Sequence, residues 1–117
     1  MLAAGIFENA LPAIYGAYIR TRSSPNVAAF ASATLASIRN PKSEKFLEIA
    51  GRFDSTWRHD LTMYLDTDSH RDAIDSITAN RNLIAHGKNS GITLFRFKDY
   101  FSKAIEVLEF IEEQYKP

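Results

Sequence analysis

Apolar residues recur at three- and four-residue steps along most of this chain, and no stretch alternates with period two for long enough to read as a strand. Residues 1–22 place Leu2, Ala3, Ile6, Phe7, Ala10, Leu11, Ile14, Tyr15 and Tyr18 on one broad face, which predicts a helix already under way at the first residues. No capping residue precedes that pattern, so the helix is expected either to begin at Met1 or to come from a longer chain. Pro12 lies inside it, with its ring against the Glu8 carbonyl, and predicts a kink. Glu8 is the one acid of this segment; it reads as a solvated or first-turn carboxylate, with support of a functional site as the alternative.

Ser23-Ser24-Pro25 stops this helix and starts the next, with serine as N-cap and proline at the first helical position. The following segment, to about Arg39, sets Val27, Phe30, Ala31, Leu35 and Ile38 on one side. Its small residues from Ala28 to Ala36 suit tight packing or a dimer surface. Asn40-Pro41 breaks the chain again, before a short helix with Phe46, Leu47 and Ile49 that Gly51 is expected to end. Asp54-Ser55-Thr56-Trp57 reads as an N-cap and first turn leading to Leu61, Met63, Tyr64 and Leu65, with Trp57 in the core or packed on the cap rather than stacked on a base. Asp66-Thr67-Asp68-Ser69 is the next cap cluster.

From about Ser69 one helix is expected to run to Gly87, burying Ala73, Ile74, Ile77, Leu83 and Ile84. Gly87 would supply its left-handed end, and Lys88-Asn89-Ser90-Gly91 a polar, irregular turn after it. Ile92-Thr93-Leu94 is extended or begins the last helix, which continues through Phe97, Phe101, Ala104, Ile105, Leu108 and Ile111 under an outer face of Glu106, Glu109, Glu112 and Glu113. The expected fold is all-α, with five or six helices in one domain spanning residues 1–117.

Composition narrows the function classes. With 117 residues, 45% apolar and 24% charged, the chain reads as an ordinary globular protein able to bury a core. It has no cysteine, which excludes disulfides and thiolate metal sites and leaves the redox compartment open. No apolar run approaches the roughly 18 residues of a membrane span, and the N-terminal stretch lacks the basic start of a secretory signal, so a cytoplasmic protein without membrane partners is expected. Fourteen basic and fourteen acidic residues cancel, which argues against coating nucleic acid by bulk charge and leaves room only for a local basic cleft. His59 and His70 stand among charged neighbours and are expected to be exposed. Neither has a histidine four residues away for a helical metal pair, and no metal or cofactor is expected.

The unusual chemistry gathers at Arg81-Asn82-Leu83-Ile84-Ala85-His86-Gly87. Arg81 and His86, five apart, stand about 140° apart around an ideal helix, whereas Asn82 and His86 share a face. In a last helical turn the peptide carbonyls favour imidazolium, and His86 would exchange protons near neutral pH. Arg81 is a charged fork suited to phosphate, and Lys88 adds a second cation. Metal-free RNA cleavage needs a base for the 2′-hydroxyl, an acid for the leaving 5′-oxygen and cations on the phosphorane. One copy offers one histidine here, and two copies about a two-fold axis offer a complete set. A C-cap histidine beside a surface arginine gives the same spacing with no chemistry at all.

Arg81-Asn82-x-x-x-His86 resembles the Arg-x4–6-His motif of the HEPN superfamily, where Asn, Asp or His commonly follows the Arg. Gly51-Arg52-Phe53-Asp54, Trp57, Leu61, Arg71-Asp72-Ala73-Ile74 and Asn80-Arg81-Asn82-Leu83-Ile84-Ala85-His86-Gly87 are most similar to its RiboL-PSP-HEPN branch. Ile6-Phe7-Glu8, Ile92-Thr93-Leu94 and the last helix extend the likeness over most of the chain. The resemblance implies an up-down helical bundle, a homodimer, and a metal-independent endoribonuclease of toxin–antitoxin, defence or RNA-processing systems. RNA would be the substrate and an antitoxin protein a further partner. It implies Arg81, His86 and Asn82 as catalytic residues, with Arg81, Lys88 and Asn80 on the RNA phosphate and Glu8 in support. Some HEPN toxins carry a Tyr two residues beyond the His, where a partner nucleotidyltransferase modifies it; Lys88 stands there instead. A non-catalytic helical module that binds RNA, nucleotide or protein is the alternative, and the neutral net charge favours it.

Overall fold

Helices α1 (Ile6–Arg22), α2 (Pro25–Ala36), α3 (Ser43–Phe53), α4 (Ser55–Leu65), α5 (His70–Ala79) and α6 (Leu94–Gln114) form an all-α bundle, with no strand among the described residues. The structure, a computed structural model, describes residues 5–80 and 94–116. The boundaries follow the local chemistry. Ser24 Oγ accepts the Val27 N–H at 3.5 Å, with Pro25 at the first helical position. Asp54 Oδ1 accepts the Thr56 N–H at 2.7 Å to open α4. Pro12, where a kink was expected, lies within α1, which is assigned as one helix from Ile6 to Arg22.

In sequence order the helices pair as α1 with α2, α3 with α4 and α5 with α6, and α6 also meets α1 and α4. Phe7, Leu11, Tyr15 and Ile19 recur every four residues and bury one face of α1. Phe7 meets Phe46 edge-on at 5.1 Å, and Tyr15 stacks on Phe53 at 4.9 Å, so α1 rests on α3. Ala104, Val107, Leu108 and Ile111 close the core from α6. Each fully buried Leu, Ile or Phe contributes about 1.5–3 kcal/mol. Trp57 packs against that core, 5.1 Å from Tyr18, as expected.

Three apolar expectations fail, each for a geometric reason. The small residues Ala28 and Ala31 turn inward against the core. Val27 and Phe30 are therefore left outside, 57% and 76% exposed, although Leu35 and Ile38 are buried. Met63 is likewise exposed, because Leu61 and Leu65 take the inner side of α4. Gly51 does not end α3, which continues to Phe53. Instead it admits the Arg58 side chain, whose Cδ lies 3.0 Å from where a Cβ would stand.

Helix α5 carries two faces. His70, Ala73, Ile74 and Ile77 are buried, while Arg71, Asp75 and Thr78, at steps of four and three, face the start of α3. Lys42, the N-cap of α3, offers no side-chain acceptor. Asp75 supplies one from the neighbouring helix: its Oδ1 accepts the Ser43 N–H at 2.7 Å and its Oδ2 the Ser43 hydroxyl at 3.0 Å. A carboxylate there also suits the positive end of α3. Thr78 Oγ1 donates to the Pro41 carbonyl at 2.7 Å, and Arg71 reaches Asp66 at 3.2 Å.

His70 is buried, 2% exposed, contrary to the exposed position expected for it; His59 is exposed as anticipated. The spacing of His70 to Ala73, Ile74 and Ile77 puts it on the inner face, and its polar neighbours in sequence lie on the outer one. Its Nδ1 lies 2.6 Å from the Thr67 carbonyl, which can only accept, so this nitrogen carries a proton and donates. Its Nε2 lies 2.8 Å from Glu106 Oε1 of α6. The ring stacks on Tyr64 at 4.5 Å, and Tyr64 stacks on Phe110 at 4.3 Å. Burial, then the carboxylates of Glu106, Asp68 and Glu109, push the Tyr64 hydroxyl above its ordinary range. The turn into α5 is left-handed at Asp68 and Ser69, φ 50° and 62°, and Ser69 makes no side-chain cap bond.

Asp75→Ala strands the buried Ser43 N–H and is expected to cost about 1–3 kcal/mol in urea unfolding, with Asp75→Asn, which keeps one acceptor, losing less. His70→Ala removes a buried ring and both its bonds and is expected to cost about 2–4 kcal/mol. His59→Ala should stay within about 0.5 kcal/mol of wild type, and equal midpoints for the two histidine variants would contradict this packing.

Candidate functional site

Helix α5 closes at Ala79 rather than running on as one helix to Gly87. Asn80 is its C-cap: the backbone N–H bonds the Ser76 carbonyl, and the side-chain Nδ2 donates to the same carbonyl at 2.8 Å. An asparagine amide competes for helix carbonyls in this way. Asn80, expected on the RNA phosphate, thus has one side-chain donor committed to ending α5. The chain enters Arg81 directly afterwards. Arg81, Asn82, His86 and Lys88, and the turn expected after them, lie outside the described residues.

What the structure does describe is the support on which that stretch begins. Thr78 binds the Pro41 carbonyl, and one turn earlier Asp75 caps α3 through Ser43, so the last turn of α5 is fixed to the α2–α3 connection from two sides. Glu8, expected as a solvated carboxylate or in support of the site, reaches that same connection: its Oε2 accepts the Asn40 N–H at 3.3 Å. Asn40 is left-handed, φ 48°, a conformation asparagine tolerates better than most residues. Glu8 and the end of α5 therefore hold Asn40 and Pro41, adjacent residues of one connection. Through the Asn40 N–H, Glu8 is tied to this connection.

From sequence alone, Asp75 and Thr78 had no assigned role, and Arg71 none beyond the family likeness. The available signal was their common face, opposite the apolar one, on a helix that ends at the unusual chemistry. Tyr15 is a further buried polar group: it is 1% exposed, its hydroxyl has no hydrogen-bond partner among the described residues, and burial raises its pKa. Its stacking on Phe53 marks it as core. Among the described residues no group of three or more His, Cys, Asp or Glu is placed to hold a metal ion, and no helix is long and apolar enough to cross a membrane.

No curated protein and no solved structure matches the chain. The family model described as RiboL-PSP-HEPN matches residues 13–117, from within α1 to the C-terminal residue, and so takes in the whole of Arg81–Gly87. An all-α bundle whose fifth helix leads into Arg-Asn-x-x-x-His, matched over that span, places the chain in the RiboL-PSP-HEPN family.

Proposed function

We propose that the protein is a metal-independent endoribonuclease acting as a homodimer. The observation that carries this reading is that Arg81, Asn82 and His86 stand in the motif order of a family to which residues 13–117 belong. An imidazole takes the proton of a ribose 2′-hydroxyl, and the 2′-oxygen attacks the adjacent phosphorus. The P–O5′ bond breaks, and a second imidazole delivers a proton to the departing 5′-oxygen. The products are a 2′,3′-cyclic phosphate and a 5′-hydroxyl. Arg81 from each copy neutralises the phosphorane oxygens, Asn82 orients the phosphate, and Lys88 and Asn80 contact the strand beside it. Each copy contributes His86, one as base and the other as acid, so the site is complete only in the pair. A toxin–antitoxin, phage-defence or RNA-processing setting fits such an activity, with an antitoxin protein as a partner in the first.

The neutral net charge favours a second reading, a HEPN module that binds RNA, nucleotide or protein without turnover. Incubating the pure protein with unstructured RNA in EDTA separates the two. The nuclease reading expects cleavage with 2′,3′-cyclic phosphate ends, and His86→Ala should slow it by about 10²–10⁴-fold, with a dimer seen by light scattering at micromolar concentration. Undiminished cleavage by His86→Ala would sink the assignment, and binding without cleavage by the wild type would select the second reading.

A further inference from the structure

Between α2 and α3 lies a groove of about 650 Å³. Leu35, Ile38, Ile49 and Phe53 form its apolar lining, and the Phe30 ring, 76% exposed, stands at its edge. The α2 wall brings no charge, since no charged residue occurs from Ser23 to Ile38. Charge comes from Arg39, three residues beyond α2, and from Lys45, Glu48 and Arg52 on α3, three cations against one acid. Glu48 is shared by two of those cations, Lys45 at 2.6 Å and Arg52 at 3.4 Å. A hydrogen bond and charge from Lys45, then charge from Arg52 and Arg58, hold its carboxyl below the ordinary carboxylate range, as a locally positive surface requires. Arg39 Nη1 rests on the Ala36 and Ile38 carbonyls, at 2.8 Å each, which holds its exposed guanidinium at this end of the groove.

An exposed aromatic ring beside an excess of cations is the pattern that binds single-stranded nucleic acid, with bases stacking on the ring and phosphates on the charges. Its place in the fold adds to this. Arg39 is two residues from Pro41, whose carbonyl accepts from Thr78 near the end of α5, and the motif begins just beyond Asn80. The groove thus starts beside the anchored end of the motif helix and leads away from it along α3. We infer that the α2–α3 groove binds a single-stranded segment of the RNA substrate outside the cleavage site, with a base on Phe30 and phosphates on Arg39, Lys45 and Arg52. This deepens the nuclease reading and rests on it. Net charge of zero does not oppose it, because the interaction needs a local excess only.

The test is fluorescence anisotropy with a fluorescein-labelled 12-nucleotide oligouridine and full-length His86→Ala protein, in EDTA, over a series of salt concentrations. Adding Phe30→Ala should weaken binding about five-fold or more, within the range for loss of one stacked base, and leave the salt dependence unchanged. Adding Arg39→Ala with Arg52→Ala should weaken binding and reduce the slope of log K against log salt by about 1.4, at about 0.7 per phosphate contact on a single strand. All three side chains are exposed, and unchanged thermal melting confirms that the variants fold.

Oligouridine binding with unaltered affinity and slope in both variants overturns the groove and leaves the nuclease reading intact. Cleavage by wild type without measurable binding to the parent variant does the same. Loss of the dimer in Phe30→Ala, by light scattering, would assign this face to a second copy of the chain and also overturn the inference. Neither cleavage by wild type nor binding by the parent would remove both readings together.

Discussion

The bond from Asp75 to the start of α3 is the constraint on which the functional end of the bundle depends. A helix beginning on a lysine has free N–H groups and no local acceptor, and here the acceptor comes from a residue 32 positions later in the chain. That single carboxylate satisfies two donors of Ser43, a residue only 2% exposed, and thereby fixes α5 against α3. Thr78 repeats the device one turn later, on Pro41. Because both acceptor and donor belong to the same face of α5, the helix cannot rotate about its axis without losing both, and its apolar face cannot leave the core. The chain therefore enters Arg81 from a helix end fixed in position and in rotation, as a pre-organised site requires of its support.

The same helix separates two electrostatic surroundings. Around its N-terminal end Asp68, Glu106 and Glu109 lie about Tyr64 and His70, and burial followed by their charge raises the Tyr64 hydroxyl. Its C-terminal end is bonded to the α2–α3 connection, next to a groove whose lining sets Arg39, Lys45 and Arg52 against Glu48. A net charge of zero conceals this division, since opposite local excesses cancel in the sum. Bulk charge decides how a protein behaves as a colloid; recognition of a phosphate depends on fields within roughly a Debye length, about 8–10 Å.

Much of the fold was legible in the sequence because local chemistry and periodicity agreed. Ser24-Pro25, Asn40-Pro41 and Asp54 punctuate the chain where the helices begin and end, and the faces of α1, α3 and α6 follow the apolar spacing. Legibility failed where one face had to be chosen between competing apolar sets. Val27 and Phe30 promised a buried stripe, yet the smaller Ala28 and Ala31 let α2 lie closer to α1, and the large side chains were turned outward. His70 failed differently, since its partners Thr67 and Glu106 include one 36 residues away that no local pattern could supply. At the candidate site, the residue types of Arg81–Gly87 were legible as a motif. The bonds of Asp75 and Thr78 beneath it, and that of Glu8 to Asn40, were not, because each spans about 30 residues or more.

The burial of His70 bears on how the proposed chemistry must be arranged. The chain has three histidines. His70 is enclosed between Tyr64, Thr67 and Glu106, with both ring nitrogens engaged, so it holds α5 to α6 and cannot serve a substrate. His59 stands on the solvent side of α4, a helix that packs chiefly on α3 and α6. Cleavage of the proposed kind needs two groups that exchange protons at neutral pH, one on each side of the scissile phosphate, and imidazole is the side chain whose unperturbed pKa suits both roles. With His70 committed to packing, the nuclease reading proposed above takes its second imidazole from the His86 of another copy.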